Sequence, residues 1–440
     1  MKNTFRGGVH PLHHIGEGKP LSRECAVTAL IPEQVMIPVG MHLGAPSTPC
    51  VNKGDRVLLG QVIAEPVGGL GLPVHASVSG TVVEVESKQL LKATAEICIV
   101  IENDKQDEWT ALHPLGGVED APADQIIGAV KAAGICGMGG ASFPTHIKMS
   151  IPEGKSADTI ILNGAECEPY LTCDHRLMLE TPERVAGGLR LIMRATGVSH
   201  GVIAVESNKP DAAQAMEQAA QGMPGVEVRL LKTKYPQGSE KQIIHTITGR
   251  EVPRGKLPVD AHALVFNVAT AAAVFDAVTL GKPLIERYTT VTGCVAKPGN
   301  LKLRMGTSFS DAIAACGGLT PDAAMILAGG PMTAPCAKDL SAVIGKASGG
   351  ILVFNQKQAL AEQEGPCIRC GRCVEACPIG LYPYQIKADI ERNDLTAAQA
   401  NGLLDCILCG ACAYVCPARR YLTASCKSAK EELAARARRK

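Results

Sequence analysis

The sequence predicts a multidomain α+β protein, and three observations carry that expectation. At 440 residues the chain is long enough for about three domains of roughly 150 residues each. Its apolar pattern changes rhythm along the way, from short alternating runs between glycines, to alternating strands and helices, and back to strands. Its last quarter sets eight cysteines, as a duplicated run, into helical sequence.

Bulk composition narrows the function classes. Lys plus Arg (44) nearly balance Asp plus Glu (43), so no global field would hold nucleic acid or a membrane surface. Aromatics make up only 3%, while Gly (46) and Pro (28) are plentiful, which suits small domains joined by many turns. Met1 to Arg6 does not open a signal peptide. The most apolar stretch, Ala263 to Gly281, is broken by Asn267 and Asp276, short of the roughly 20 apolar residues of a membrane span. Eighteen cysteines without an export signal argue for metal ligation in a reducing compartment, hence a cytoplasmic protein able to dock on a membrane complex.

Residues 1–29 read as a flexible amino-terminal arm, in which His10, His13 and His14, flanked by Pro11 and Gly16, are expected to pack or meet a partner rather than bind metal. From 30 to 102, short runs such as Val51 to Val57, Gly60 to Ile63 and Val74 to Val83 alternate with glycine turns. This segment resembles the flattened barrel of biotinyl and lipoyl carrier domains, but the tip near Gly68 to Gly71 has no carrier lysine, so a scaffolding barrel is expected. Residues 103–123 read as a linker. From 124 to 285 the pattern is α/β: Ile126 to Ala133 has helical spacing, Thr159 to Leu162 and Val202 to Val205 read as buried parallel strands, and 182–196 and 210–221 as helices. Residues 286–355 return to strands around one helix near Ser310 to Cys316, a small β-grasp-like module. The segment 360–440 is helical, and its tail from Lys427 carries six basic and two acidic residues, read as a solvated helix end.

The cysteine runs are Cys367-x2-Cys370-x2-Cys373-x3-Cys377-Pro378 and Cys406-x2-Cys409-x2-Cys412-x3-Cys416-Pro417. Three thiolates spaced by two residues bind one cubane, and the fourth starts a helix that points away; this is the two-cluster ferredoxin spacing, with crossed ligation. Cys367, Cys370, Cys373 and Cys416 are therefore assigned to one [4Fe-4S] cluster, and Cys406, Cys409, Cys412 and Cys377 to the other. Zinc also takes Cys-x2-Cys pairs, but gives no reason for the third cysteine and the Pro-terminated fourth, twice over. Gly371, Ile379, Gly410 and Val415 would shield the cubanes. The ten other cysteines read as buried thiols, Cys167 being the one with notable neighbours.

Cys136 to Lys148 is glycine-rich, and such a loop lets backbone N–H groups approach phosphate, with Lys148 adding charge. It is not the dinucleotide fingerprint. Strand Thr159–Leu162 then ends in Asn163-Gly-Ala-Glu-Cys-Glu-Pro169, where α/β sheets place ligands, so an Asn and two carboxylates there suit ribityl or ribose hydroxyls. Two one-electron clusters need an entry point, and a flavin is the usual converter between hydride and single electrons.

Gly137 to Lys148, Asn163 to Pro169, Tyr235 to Glu240, Pro253 to Lys256 and Asn267 to Thr270 are similar, in order and spacing, to the flavoprotein subunit of respiratory complex I. The start Phe5 to Pro11, the lysine-less barrel and the two-cluster end resemble, over nearly the whole chain, the C subunits of Rnf complexes, the membrane-bound ion-translocating ferredoxin:NAD+ oxidoreductases. The resemblance implies an SLBB-type identity for the 286–355 module and non-covalent FMN contacted by Gly137, Gly139, Gly140, Lys148, Asn163, Glu166, Asn267 and Thr270. It implies NAD(H) near Phe143, Glu168, Tyr235, Glu240 and Lys256. Glu166 and Glu168 would position groups rather than act as acid or base. Ala165, Ser239 and Phe266 depart from the complex I pattern, which has Asp, Glu and Asn there, and the complex I protein has one cluster in its final domain where this chain has two. Implied partners are the other Rnf subunits, including the ferredoxin-facing iron–sulfur subunit and the membrane subunits, with attachment through them at the cytoplasmic face. The alternatives are a soluble corrinoid reductase, which the Phe5–Pro11 start and the barrel weigh against, and a relay with clusters but no active flavin site.

Overall fold

The computed structural model describes residues 3–11, 18–91, 94–359 and 363–438. The arm departs from its expected flexibility. Phe5 and Val9 are buried, and Val9 bridges to Tyr235 as a one-residue strand. Gly7, with φ +76°, lies where a Cβ would stand 2.6 Å from the Cys377 carbonyl oxygen, so the arm threads tightly against the carboxyl-terminal domain. It ends in β1 (Thr28–Leu30). His10 is exposed; His13 and His14 lie outside the described residues.

The barrel follows: β2 (Gln34–Pro38), β3 (Thr48–Pro49), β4 (Arg56–Val57), β5 (Val62–Glu65), β6 (Val74–His75), β7 (Gly80–Lys88) and β8 (Glu96–Asn103). These form two small sheets, ordered β2-β8-β7-β4 and β3-β5-β6. Alternation explains part of them: Val35, Ile37, Val57, Ile63, Val82, Ile99 and Ile101 are wholly buried, while Gln34, Arg56, Thr81 and Glu102 beside them are exposed. Trp109, in the linker, returns to bridge Leu59.

The α/β unit comprises α1 (Ala123–Ala132), α2 (Thr145–Met149), β9 (Thr159–Gly164), α3 (Cys173–Glu180), α4 (Pro182–Thr196), β10 (His200–Glu206), α5 (Pro210–Ala219), β11 (Val226–Leu231), α6 (Glu240–Thr248), β12 (Ala263–Asn267) and α7 (Val268–Thr279). Its sheet is fully parallel in the order β11-β10-β9-β12, with apolar runs because both faces are covered. Pro182 opens α4, and Gly197, in the left-handed region, closes it. A Cβ on Gly188 would stand 1.9 Å from the Ala271 carbonyl oxygen, so α4 and α7 pack backbone to backbone. Chain order reverses on either side of β9, and the crevice beside the carboxyl ends of β9 and β12 is where such sheets take ligands.

The next module is a five-stranded sheet from β13 (Glu286–Gly293), β14 (Gly299–Arg304), β15 (Ala323–Leu327) and β16 (Gly350–Asn355), with α8 (Phe309–Ala315) capped by the Ser308 hydroxyl. Its order is β1-β14-β13-β16-β15, so the arm supplies an edge strand. After α9 (Gln356–Ala359) come α10 (Arg372–Glu375), α11 (Pro383–Glu391), α12 (Leu395–Ala400), α13 (Ala411–Tyr414) and α14 (Leu422–Arg438), packed around Ile386, Leu395, Leu403 and Ala429. Among the described residues no helix is long and apolar enough to cross a membrane.

Candidate flavin and iron–sulfur sites

The duplicated cysteine run folds into duplicated geometry. Gly371 and Gly410, both in the left-handed region, start the one-turn helices α10 and α13. Arg369 and Leu408 share positive φ at equivalent loop positions. Cys367, Cys370, Cys373 and Cys416 line one cavity of about 370 Å³, with Tyr384 and Arg420 on its wall. Cys406, Cys409, Cys412 and Cys377 line another pocket, closed by Ile379 and Cys426. The fourth cysteine of each run thus meets the first three of the other. The backbone N–H groups of Leu381 and Arg420 donate to the sulfurs of Cys377 (3.3 Å) and Cys416 (3.4 Å), matching contacts of the kind that tune cluster thiolates. Burial pushes the Cys409 and Cys412 thiols up to about 11 and about 12, and a hydrogen bond with Cys426 brings Cys406 down to about 6. Two quartets of convergent sulfurs with N–H donors fit two cubanes.

The two quartets differ in depth. Cys367 and Cys370 are exposed, whereas all four members of the second quartet are partly covered. The second faces the α/β unit. The Tyr235 hydroxyl donates to the Cys409 carbonyl at 2.6 Å, Gln242 Nε2 donates to the Pro378 carbonyl at 3.3 Å, and Arg254 pairs with Asp405.

At the sheet's carboxyl end, the glycine loop is closed by Gly137 N–H donating to the Phe143 carbonyl (2.8 Å), and Met138 N–H donates to the Thr270 hydroxyl (3.1 Å). A Cβ on Gly139 would stand 3.1 Å from the Asn267 side chain, while Gly140 faces open space. Asn267 caps α7 through Ala269 N–H (2.8 Å) and donates to Asp174 (2.6 Å). Asn163 donates to the Gly238 carbonyl at 2.7 Å. Lys148 binds Glu240 (2.7 Å) and the Val265 carbonyl (3.0 Å), above the ring of Phe266. Glu166, at φ +45°, accepts the N–H groups of Asp174 (2.7 Å) and His175 (3.2 Å) at the start of α3. A glycine cradle, the amino end of α7 and a lysine on one rim fit a phosphorylated flavin.

Among the residues expected near the dinucleotide, Glu240 joins this cluster through Lys148, Phe143 is half-buried beyond the glycines, and Lys256 sits on an exposed turn. Glu168 and Tyr235 are engaged by neighbouring segments. Glu168 accepts the Met332 N–H (3.1 Å) and the Thr333 hydroxyl (2.5 Å), and Tyr235 reaches Cys409.

Four family models match the chain in order: the RnfC barrel sandwich hybrid domain at residues 3–106, the Nuo51 FMN-binding domain at 130–276, the SLBB domain at 288–335 and a 4Fe-4S dicluster domain at 366–419. The C subunit of the Na+-translocating ferredoxin:NAD+ oxidoreductase complex of Acetobacterium woodii is 44% identical, covering 99% of this chain and 98% of its own. The chain belongs to the RnfC family. Within that family, the C subunit of the ion-translocating oxidoreductase complex of Rhodobacter capsulatus is 41% identical over 99% of this chain and 84% of its own. Among solved structures, an NAD+-reducing [NiFe]-hydrogenase in the H2-reduced state shares the fold at TM-score 0.50, with 20% identity over 73% of this chain and 63% of that one. As an RnfC protein, the chain has an FMN-binding domain and a dicluster domain, and it is part of an oxidoreductase.

Several residues that build this RnfC site stand outside every sequence motif. Lys19, fully buried, donates from the arm to the carbonyls of Glu166 (2.8 Å), Glu168 (2.9 Å) and Leu171 (2.5 Å). Lys209 holds the Ala165 carbonyl at 2.7 Å beside buried Glu206. Asp174 brings a buried carboxylate to Asn267 near Ala165, whose own side chain has none. Lys19 and Lys209 carry no sequence signal beyond being lysines near prolines, and Asp174 is one more acid in the first turn of a helix. Cys167 accepts the Gly238 N–H at 3.3 Å, and burial pushes its thiol up to about 12, so it serves as a neutral packing group.

Proposed function

We propose that the chain is the NAD(H)-facing subunit of an ion-translocating ferredoxin:NAD+ oxidoreductase complex, passing electrons between NAD(H), FMN and two [4Fe-4S] clusters. It would sit at the cytoplasmic face of the membrane, held there by the other Rnf subunits. The observation that carries the reading is the junction of the two sites: Tyr235 and Gln242 of the FMN-binding domain are hydrogen-bonded to the loops that bear Cys409 and Cys377.

Bound FMN supplies the conversion between a hydride and single electrons, and the cubanes supply one-electron steps. The protein's part is placement. Gly137, Gly139 and Gly140 let backbone approach the flavin, Thr270 and Asn267 fix that loop to α7, and Lys148 brings positive charge to the rim. Glu240, held by Lys148, and Lys256 on its exposed turn would meet the dinucleotide. The quartet of Cys377, Cys406, Cys409 and Cys412 faces the flavin domain and forms the inner station. The quartet of Cys367, Cys370, Cys373 and Cys416, partly exposed, forms the outer station toward a partner's iron–sulfur group.

Anaerobically purified chain should contain about one FMN and about eight iron atoms, from two four-iron cubanes. NADH should bleach its flavin absorbance. Material without flavin, or with zinc in place of iron, contradicts the reading.

A further inference from the structure

Behind the glycine loop lies a cavity of about 270 Å³ between α7, the linker and the SLBB sheet. Its wall includes Met138 from the loop and Ala269 from the first turn of α7. Its lining holds five basic and two acidic side chains, and most of these charges are already paired. Arg184 pairs with Asp276, Lys302 with Glu286 (2.7 Å), and Arg304 with Asp107 (2.7 Å). Two cations remain. Lys282 sits 5.3 Å from the centre of the Trp109 ring. Arg287, on β13, is only 4% exposed.

Arg287 spends one N–H on the Met138 carbonyl, from Nη2 at 2.9 Å. Its Nε and Nη1 are buried and have no hydrogen-bond partner among the described residues. A buried guanidinium with two free donors is costly unless an anion completes it, and its fork suits the oxygens of a phosphate. The same carbonyl that Arg287 holds belongs to the residue whose N–H reaches Thr270 at the start of α7. The guanidinium, the glycine loop and the helix amino terminus thus share one small region.

We propose that Arg287, supported by Lys282, is the counter-cation for the flavin's phosphate monoester, so that the SLBB module completes the flavin site of its neighbour. This rests on the FMN reading above. It explains why the site would prefer FMN to the uncharged riboflavin, and it makes flavin retention depend on the docking of two domains.

The test uses full-length chain with its clusters intact and its flavin removed, titrated with FMN, riboflavin or NADH by fluorescence. Arg287→Gln should weaken FMN binding by ~10- to 100-fold and leave riboflavin within about two-fold of the parent. Lys282→Met, at the cavity rim, should weaken FMN by ~2- to 5-fold with riboflavin again unmoved. If Arg287→Gln folds too poorly to bind either flavin, the FMN-to-riboflavin ratio of Lys282→Met decides. An unchanged ratio in every variant that binds flavin overturns the proposal, as does a loss confined to NADH, which would assign the cation to the dinucleotide. If the parent chain takes up neither flavin, the FMN reading itself fails, and this inference with it.

Discussion

Asp174 is buried beside Glu166 and Asn267, and burial first, then the Glu166 charge, pushes its carboxyl up to about 6. The folded value lies above the unfolded 3.8, so the fold favours the protonated form. Its contribution is full at pH below about 4, is lost as pH rises through about 6, and stays lost above. Asp174→Asn, a neutral mimic, should therefore raise the apparent melting temperature at pH 8 by about 2–4 °C and leave it unchanged at pH 4. Lys148 offers a different case. It is partly exposed and satisfies only Glu240 and one carbonyl. Lys148→Met should fold normally but bind FMN about ten-fold more weakly in a fluorescence titration. Lys148 was legible in the sequence because a glycine loop followed by a lysine has a local chemical meaning. Asp174 was not, because its role comes from what folding places around it.

Lys19 shows the same limit for whole elements: it acts on Glu166 across 147 residues, a pairing no spacing rule reports. The arm read as a loose tail because its anchors, Phe5, Val9 and β1, are single residues or short segments that bury only against distant partners. Lys19→Met would strip the donor from three carbonyls and should destabilise the α/β unit by about 3 kcal/mol, seen as earlier urea unfolding and faster proteolysis near residue 170. The strands and helices of the α/β unit were legible for the opposite reason: burial on both faces writes itself into unbroken apolar runs such as Thr159 to Leu162. The cysteine runs were the most legible element, since cubane ligation is local in sequence except for the fourth ligand. Crossed ligation makes a specific demand. Cys377→Ser should remove the cluster of the Cys406 loop, not of its own loop, so iron falls from about eight to about four atoms and the outer cluster's EPR signal remains.

For the molecule as a whole, the parts are ordered by contact rather than by sequence. The arm runs from the cluster domain, past Tyr235, to the SLBB sheet, and so ties together the domains that flank the flavin. The domain order was readable along the chain; which cluster faces the flavin was not, because that depends on Tyr235 and Gln242 reaching loops more than a hundred residues away. The proposed series runs from nucleotide through flavin and inner quartet to outer quartet. Rapid-freeze EPR of the Cys409→Ser variant mixed with NADH tests that series most directly. Normal bleaching of the flavin is expected, with an outer-cluster signal that appears at least ten-fold more slowly than in the parent, about the cost of one lost relay step. An outer-cluster signal growing at the parental rate would contradict it.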